Sequence, residues 1–170
     1  MFFNELIGVL TIDKKDAKTI QREAVRAVIF REGQMLLIHS NKGDYKLPGG
    51  GVEENESHAE GLLREIAEET GYSSCVVKDK IGVVIERRKD EYEQNAYFEM
   101  TSHYYLCEIT NNDKVAQQLD NYEAIQEFTP KWITIDEAIE QNQKILNQVE
   151  KNSWIKREIF VLKELEKLHY

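Results

Sequence analysis

Cysteine is nearly absent: Cys75 and Cys107 stand alone and far apart in the chain. One disulfide is arithmetically possible, but two reduced structural thiols are the expectation. Long apolar runs are missing, and nothing approaches the roughly 20 residues a membrane helix requires. The apolar opening, Met1 to Leu10, carries Glu5 and no basic segment, so it does not resemble a signal peptide. A cytoplasmic protein with no membrane partner is expected. Positive charge is in deficit, with 22 Lys and Arg against 31 Asp and Glu and a formal net charge of -9. Such a surface repels phosphate backbones over about a Debye length. It argues against a long nucleic acid held through counterion release. A small anionic substrate stays open, because a metal ion brings its own positive charge. No internal repeat is present, and neither a Walker loop nor a dinucleotide fingerprint occurs.

What is there reads as one domain of 170 residues. Arg22 to Phe30 and MLLIHS, around a turn at Arg31 to Gln34, predict two strands. Val76 to Glu86, Tyr97 to Ile109 and Trp132 to Thr134 predict three more, with the charged stretch from Arg87 to Gln94 as an exposed loop or hairpin end. Lys46 to Gly51, KLPGGG, cannot be regular structure, because Pro48 removes a donor and the glycines release the backbone. A helix opens at Ser57, which forms a capping box with Glu60, and closes at Gly71, where a left-handed residue is wanted. Ala59, Leu62, Leu63, Ile66 and Thr70 recur at helical spacing as its buried stripe. Thr134 and Glu137 make a second capping box, for a helix to about Gln143. A last helix begins near Ser153, with Ile155, Ile159, Leu162 and Leu165 inward. Strands and helices mixed in this way predict α/β layers.

The first helix carries the chemistry. At about 100° per residue, Glu65, Glu68 and Glu69 fall within an arc of about 100°, some 130° from the apolar stripe. Like charges at these offsets repel by roughly 0.2–0.5 kcal/mol each, and only Glu68 has a cation, Arg64, at helical spacing. A solvated acidic face is the plain alternative to a cation site. All-oxygen ligands select hard ions, so Mg²⁺ is expected, with Mn²⁺ the other ion that fits. Just before the helix, Gly49, Gly50 and Gly51 let backbone N–H groups approach a phosphate.

The run from Gly50 to Tyr72, Gly-x5-Glu56-x7-Arg64-Glu65-Ile66-Ala67-Glu68-Glu69-Thr70-Gly71-Tyr72, resembles the complete signature of the Nudix (MutT-like) hydrolases, with Tyr72 the one departure. The LPGGG lead-in and the segment around Trp132 also resemble that family. The resemblance implies a Nudix-like α/β/α sandwich with a mixed, partly antiparallel sheet between helices. It implies one domain over 1–170, with a family-like core at about 22–143 and a C-terminal helix at about 153–168. It implies hydrolysis of a diphosphate linkage in a nucleotide-like small molecule, with Mg²⁺ held by Glu65, Glu68 and Glu69. Arg64 would steady those carboxylates, and Glu56 would support the loop. Glu123 or Glu127 would act as general base. Gly49, Gly50, Gly51, Arg26 and Lys46 would meet the substrate, and Tyr45, Tyr97 or Phe98 a nucleobase. Trp132 is expected in the core, His58 in solvent or on the helix start, and His39 and His103 as satisfied structural histidines.

The box reports chemistry rather than substrate. No proline lies 15–17 residues beyond it and no tyrosine about 16 beyond, so the usual marks of ADP-ribose and dinucleoside-polyphosphate enzymes are missing. Elimination leaves a nucleoside triphosphate pyrophosphohydrolase. A catalytically idle nucleotide-sensing module and a prenyl-diphosphate isomerase are the alternatives, and a homodimer is left open.

Overall fold

A computed structural model describes residues 1–12, 18–90, 92–93, 95–148 and 153–168. Its strands are β1 (Phe3–Gly8), β2 (Lys18–Arg31), β3 (Gln34–His39), β4 (Tyr45–Lys46), β5 (Cys75–Lys89), β6 (Ala96–Ile109) and β7 (Thr129–Ile133). The helices are α1 (His58–Thr70), α2 (Asn121–Ile125), α3 (Ile135–Gln148) and α4 (Ser153–Glu166). Among these elements the strand order is β1-β5-β6-β2-β3-β4, with β7 on β3. The sheet is mixed: β1 runs parallel to β5 and β6 to β2, while β5–β6, β2–β3, β3–β4 and β3–β7 are antiparallel.

Period-two alternation along β2 serves two cores at once. Val25, Ala27 and Ile29 join Leu36, Leu62, Ile66 and Tyr72 under α1. Val28 faces the other way, with Met35, Leu37, Tyr104, Ala138, Ile139, Val161, Leu162 and Leu165 beneath α3 and α4. The sheet therefore lies between helical layers, the sandwich that the signature implies. Ile155, Ile159, Leu162 and Leu165 are all buried, as the spacing in α4 predicts.

Local chemistry places the ends of α1 as read. Ser57 accepts from Glu60 N, the Glu60 side chain accepts from Ser57 N, and Gly71 sits at φ 78° with its N–H on Ala67 O. Thr134 and Glu137 exchange the equivalent bonds ahead of α3, which runs on to Gln148 rather than stopping near Gln143. The stripe of α1 needs correction: Ala59 and Leu63 are exposed, whereas Glu65 and Glu69 are buried beside Leu62, Ile66 and Thr70. The helix is turned because the glycine loop and the segment 114–118 close over its acidic flank.

Other expectations also shift. Arg87 to Lys89 belong to β5 rather than to a loop, since Arg87 reaches across the sheet to Glu99 at 2.7 Å. Glu91 and Gln94, in the same expected loop, lie outside the described residues. The short strand at Trp132 begins earlier, at Thr129. Three elements were not foreseen, namely β1, the short β4, in which Lys46 pairs with Ile38 of β3 although the stretch from Lys46 was expected to be irregular, and the single turn and a half of α2.

Candidate functional site

The glycine loop is laid against β2 as though it were another strand. Ala27 N donates to Pro48 O at 2.8 Å, Val25 N to Gly50 O at 2.9 Å and Val52 N to Glu23 O at 3.1 Å. This brings the loop over the flank of α1. Gly49 N then donates to Glu69 Oε2 at 2.7 Å, and the Arg26 guanidinium donates to Gly49 O. Loop, strand and helix are thus tied together at one point.

Arg64 gathers the acids of α1. Its Nε donates to Glu56 Oε1 at 2.9 Å and its Nη2 to Glu56 Oε2 at 3.0 Å, a bidentate pair. Its Nη1 donates to Glu65 Oε1 at 2.8 Å and Glu68 Oε2 at 3.1 Å, and Nη2 also reaches Gly51 O at 3.1 Å. Sequence spacing linked Arg64 with Glu68 alone; its reach to Glu65 and back to Glu56 needs the folded loop. Bonding from Arg64 holds the Glu56 carboxyl below the ordinary carboxylate range.

Glu65 and Glu69 are in a different condition. Burial raises the Glu65 carboxyl above its usual value, partly offset by Arg64. Burial pushes Glu69 up to about 8, against the opposing pull of Gly49 N–H and Arg26. Glu123, held at the start of α2 by its capping bonds with Asp120, joins them. Oxygens of Glu65, Glu69 and Glu123 lie within 4.8 Å of one another. Glu68 stays on Arg64 but is near enough to raise Glu123, whose main upward push is burial. Glu127, the other candidate base, is exposed, with φ 53°, and does not line the cleft. Three convergent carboxylates, each raised by burial above its usual range, are a donor set that a hard divalent cation fits and whose charged forms it would favour.

A cleft of about 290 Å³ opens over this point, lined by Glu69, Glu123, Gly49 and Gly50 and by Arg26, Lys46 and Arg157. Arg26 Nε is buried and has no hydrogen-bond partner among the described residues. Lys46, lowered by burial, lies 4.1 Å from the Phe128 ring centre and 4.9 Å from that of Trp154. Tyr122, Phe128 and Trp154 form the aromatic part of the wall. The cleft therefore has an anionic floor, three cations and a face that can stack a flat ring. Arg157 itself is buried, pairing with Glu86 and, at 2.8 Å, with Glu158. A larger groove of about 420 Å³ between α3 and α4 contains none of the box residues.

Arg26, Lys46 and Glu123, three of the candidates offered by the sequence, line the cleft. Tyr45, Tyr97 and Phe98 do not line it. Trp132 packs in the core beneath Arg31 and beside Tyr72. Sequence reasoning missed Tyr122, Phe128, Trp154 and Arg157. The local signal was the Asp120–Glu123 capping box, which marks a helix start near Tyr122 and Phe128; Trp154 and Arg157 come from α4.

A family profile described as the NUDIX domain matches residues 20–156. A Bacillus subtilis (strain 168) protein provisionally named 8-oxo-dGTP diphosphatase is 40% identical over 73 residues, which is 42% of this chain and 48% of that one. Nudix hydrolase 6 of Arabidopsis thaliana is 34% identical over 105 residues, 60% of this chain and 33% of the relative. The chain thus spans about half or less of the length of these curated relatives. Among solved structures, a UDP-X diphosphatase superposes with a TM-score of 0.56 at 21% identity, over 94% of this chain and 69% of that one. The MutT protein of Methanosarcina mazei Go1 gives 0.51 at 21% identity, over 91% and 99%.

Proposed function

The chain belongs to the Nudix family, and from that membership we propose that it is a Mg²⁺-dependent hydrolase of a diphosphate linkage in a nucleoside triphosphate. The observation that carries this reading is the convergence of Glu65, Glu69 and Glu123 in a cleft that also holds Arg26, Lys46 and Arg157. Carboxylates alone would suit a bare cation, and cations alone a bare anion. Both together suit a metal-bound polyphosphate.

Glu65 and Glu69 would hold the ion, with Glu68 beside them on Arg64, whose guanidinium fixes the approach of Glu65 and Glu68. When bound, the ion supplies positive charge to the diphosphate oxygens and acidity to a coordinated water. Arg26, with one buried donor unused among the described residues, and Lys46 take the phosphate oxygens. Glu123 accepts the proton of the attacking water, for which its raised pKa suits it. The new P–O bond forms as the bridging P–O bond breaks, and the electron pair stays on the bridging oxygen, which leaves with the pyrophosphate or with the nucleoside monophosphate, whichever is not attacked. Tyr122, Phe128 and Trp154 stack the base. The Bacillus subtilis relative, named for an oxidised guanine nucleotide, supports a triphosphate with a purine base.

A hydrolysis screen over nucleotide-diphosphate compounds, with products identified by mass, tests this. One triphosphate class should turn over far faster than the rest, releasing pyrophosphate and a monophosphate, and EDTA should abolish it. No turnover with Mg²⁺ or Mn²⁺ overturns the enzyme reading.

A further inference from the structure

Glu23, His58 and His103 form a second cluster, on the face of β2 opposite the cleft. Residues 23, 25, 27 and 29 alternate onto the α1 side of the sheet, where Val25, Ala27 and Ile29 are core, whereas Arg26 lines the cleft. In the parallel β2–β6 register Val25 stands beside His103, so His103 shares the α1 side with Glu23. His58, the first residue of α1, comes down over both.

The geometry is that of ligands around one point. His58 Nε2 lies 3.2 Å from Glu23 Oε2, and His103 Nε2 lies 3.6 Å from Glu23 Oε1. One donor atom from each residue lies within 4.8 Å of the other two. A tetrahedral ion with bonds of about 2.0 Å spaces its ligands by about 3.3 Å. The two imidazoles lie face to face, ring centres 4.4 Å apart and planes 35° apart.

Two further observations point to a ligand. His103 is buried, yet among the described residues neither of its ring nitrogens has a hydrogen-bond partner. Glu23 Oε1, at 3.6 Å, is beyond hydrogen-bond reach. A buried imidazole with only a long contact to Glu23 and no hydrogen bond is unfavourable unless something else completes it. Burial also lowers the His103 pKa, which keeps the ring in the neutral form a metal requires. The second observation is an outer partner: Tyr105 Oη lies 2.8 Å from His58 Nδ1. With Nδ1–H donating there, Nε2 keeps its lone pair for the ion, the arrangement found around metal-bound histidines.

We propose that Glu23, His58 and His103 bind a borderline divalent ion of the Zn²⁺ class, at a site separate from the carboxylates of the cleft. Two imidazole nitrogens and one carboxylate oxygen select Zn²⁺ over Mg²⁺. Glu23 is exposed, so a fourth position is open to water. The site joins the start of α1 to β2 and β6. It does not depend on the hydrolase reading, because none of its ligands belongs to the cleft.

The test uses tag-free full-length protein and Zn²⁺ alone, titrated in competition with a chromophoric chelator. Co²⁺ is added in parallel for its visible spectrum. One tightly held Zn²⁺ per chain is expected, in addition to any weaker ion on the cleft carboxylates, and Glu69→Gln should retain it. His58→Ala and His103→Gln should each weaken it at least tenfold, with circular dichroism unchanged. His58 is half-exposed, so its variant keeps the test sound even if His103→Gln fails to fold. Co²⁺ should show the intense visible bands of a four- or five-coordinate nitrogen-ligated ion in wild type and lose them in His58→Ala. The proposal is overturned by the absence of Zn²⁺ binding, by binding indifferent to His58→Ala, or by binding lost in Glu69→Gln.

Discussion

The Glu65 carboxylate occupies the space where a side chain on Gly50 would stand: a Cβ there would come within 2.5 Å of Glu65 Oε1. The glycine of the loop and the acid of the helix are therefore one feature. Gly50→Ala should push Glu65 off its position while leaving the helix core intact. We expect the Mg²⁺ concentration for half-maximal activity to rise about tenfold or more, with a smaller effect on melting temperature. An unchanged Mg²⁺ requirement in that variant would show that Glu65 does not hold the ion.

Glu69 links activity to pH. Its folded-state pKa of about 8 lies above its unfolded value of about 4.3. The folded, metal-free protein thus binds more protons than the unfolded chain between these limits. Its stability should fall as pH rises from about 4 to about 8. Glu65 and Glu123, also raised, act in the same direction. Melting temperatures in EDTA should show this slope, Glu69→Gln should flatten it, and millimolar Mg²⁺ should restore wild type most at high pH. The same variant should lose at least about a hundredfold in turnover, since an ion-mediated stabilisation of several kcal/mol is removed.

Glu123→Gln separates a proton acceptor from a metal ligand. As acceptor, Glu123 contributes about 10²-fold or more to kcat, with the Mg²⁺ requirement little altered. A variant that regains full kcat at high Mg²⁺ would instead make Glu123 a ligand of the ion.

Trp154→Ala should act on substrate choice. Stacking contributes roughly 1–3 kcal/mol per base, so KM for the preferred nucleotide should rise about tenfold while kcat holds. Equal KM values for wild type and variant would remove Trp154 from base recognition.

The parts of the site that were legible in the chain are those fixed by short-range chemistry. Ser57, Glu60 and Gly71 bound α1 through contacts within four residues, and the box spacing follows from one helix. The condition of Glu65 and Glu69 was not legible, since their burial depends on a loop twenty residues upstream and a segment more than forty residues downstream. The aromatic wall was hidden for the same reason: Tyr122, Phe128 and Trp154 come from α2, its connection to β7, and α4. Arg87 looked like loop because charged residues in a strand are recognisable only with their cross-strand partners, here Glu99. His103 was expected to be satisfied; its unpaired nitrogens appear only when β6 lies beside β2.

The segment 115–118 is stitched to the end of α1: Val115 N donates to Gly71 O at 2.8 Å, Gln118 N to Glu68 O at 2.9 Å, and the Gln117 amide to Glu69 O and, at 3.1 Å, Phe128 O. The backbone carbonyls of Glu68, Glu69 and Gly71, at the end of α1, thus anchor the stretch leading to Glu123. Shifting residues 115–118 would therefore strip the last carbonyls of α1 of their partners, while α2 is pinned separately at its far end, where Asn41 N donates to Gln126 O at 2.8 Å and Asn41 Nδ2 to Ile125 O at 3.0 Å. Glu123 is thus carried between two anchors, one on the helix that supplies Glu65 and Glu69 and one on the turn after β3, and the spacing of the three carboxylates is set by both.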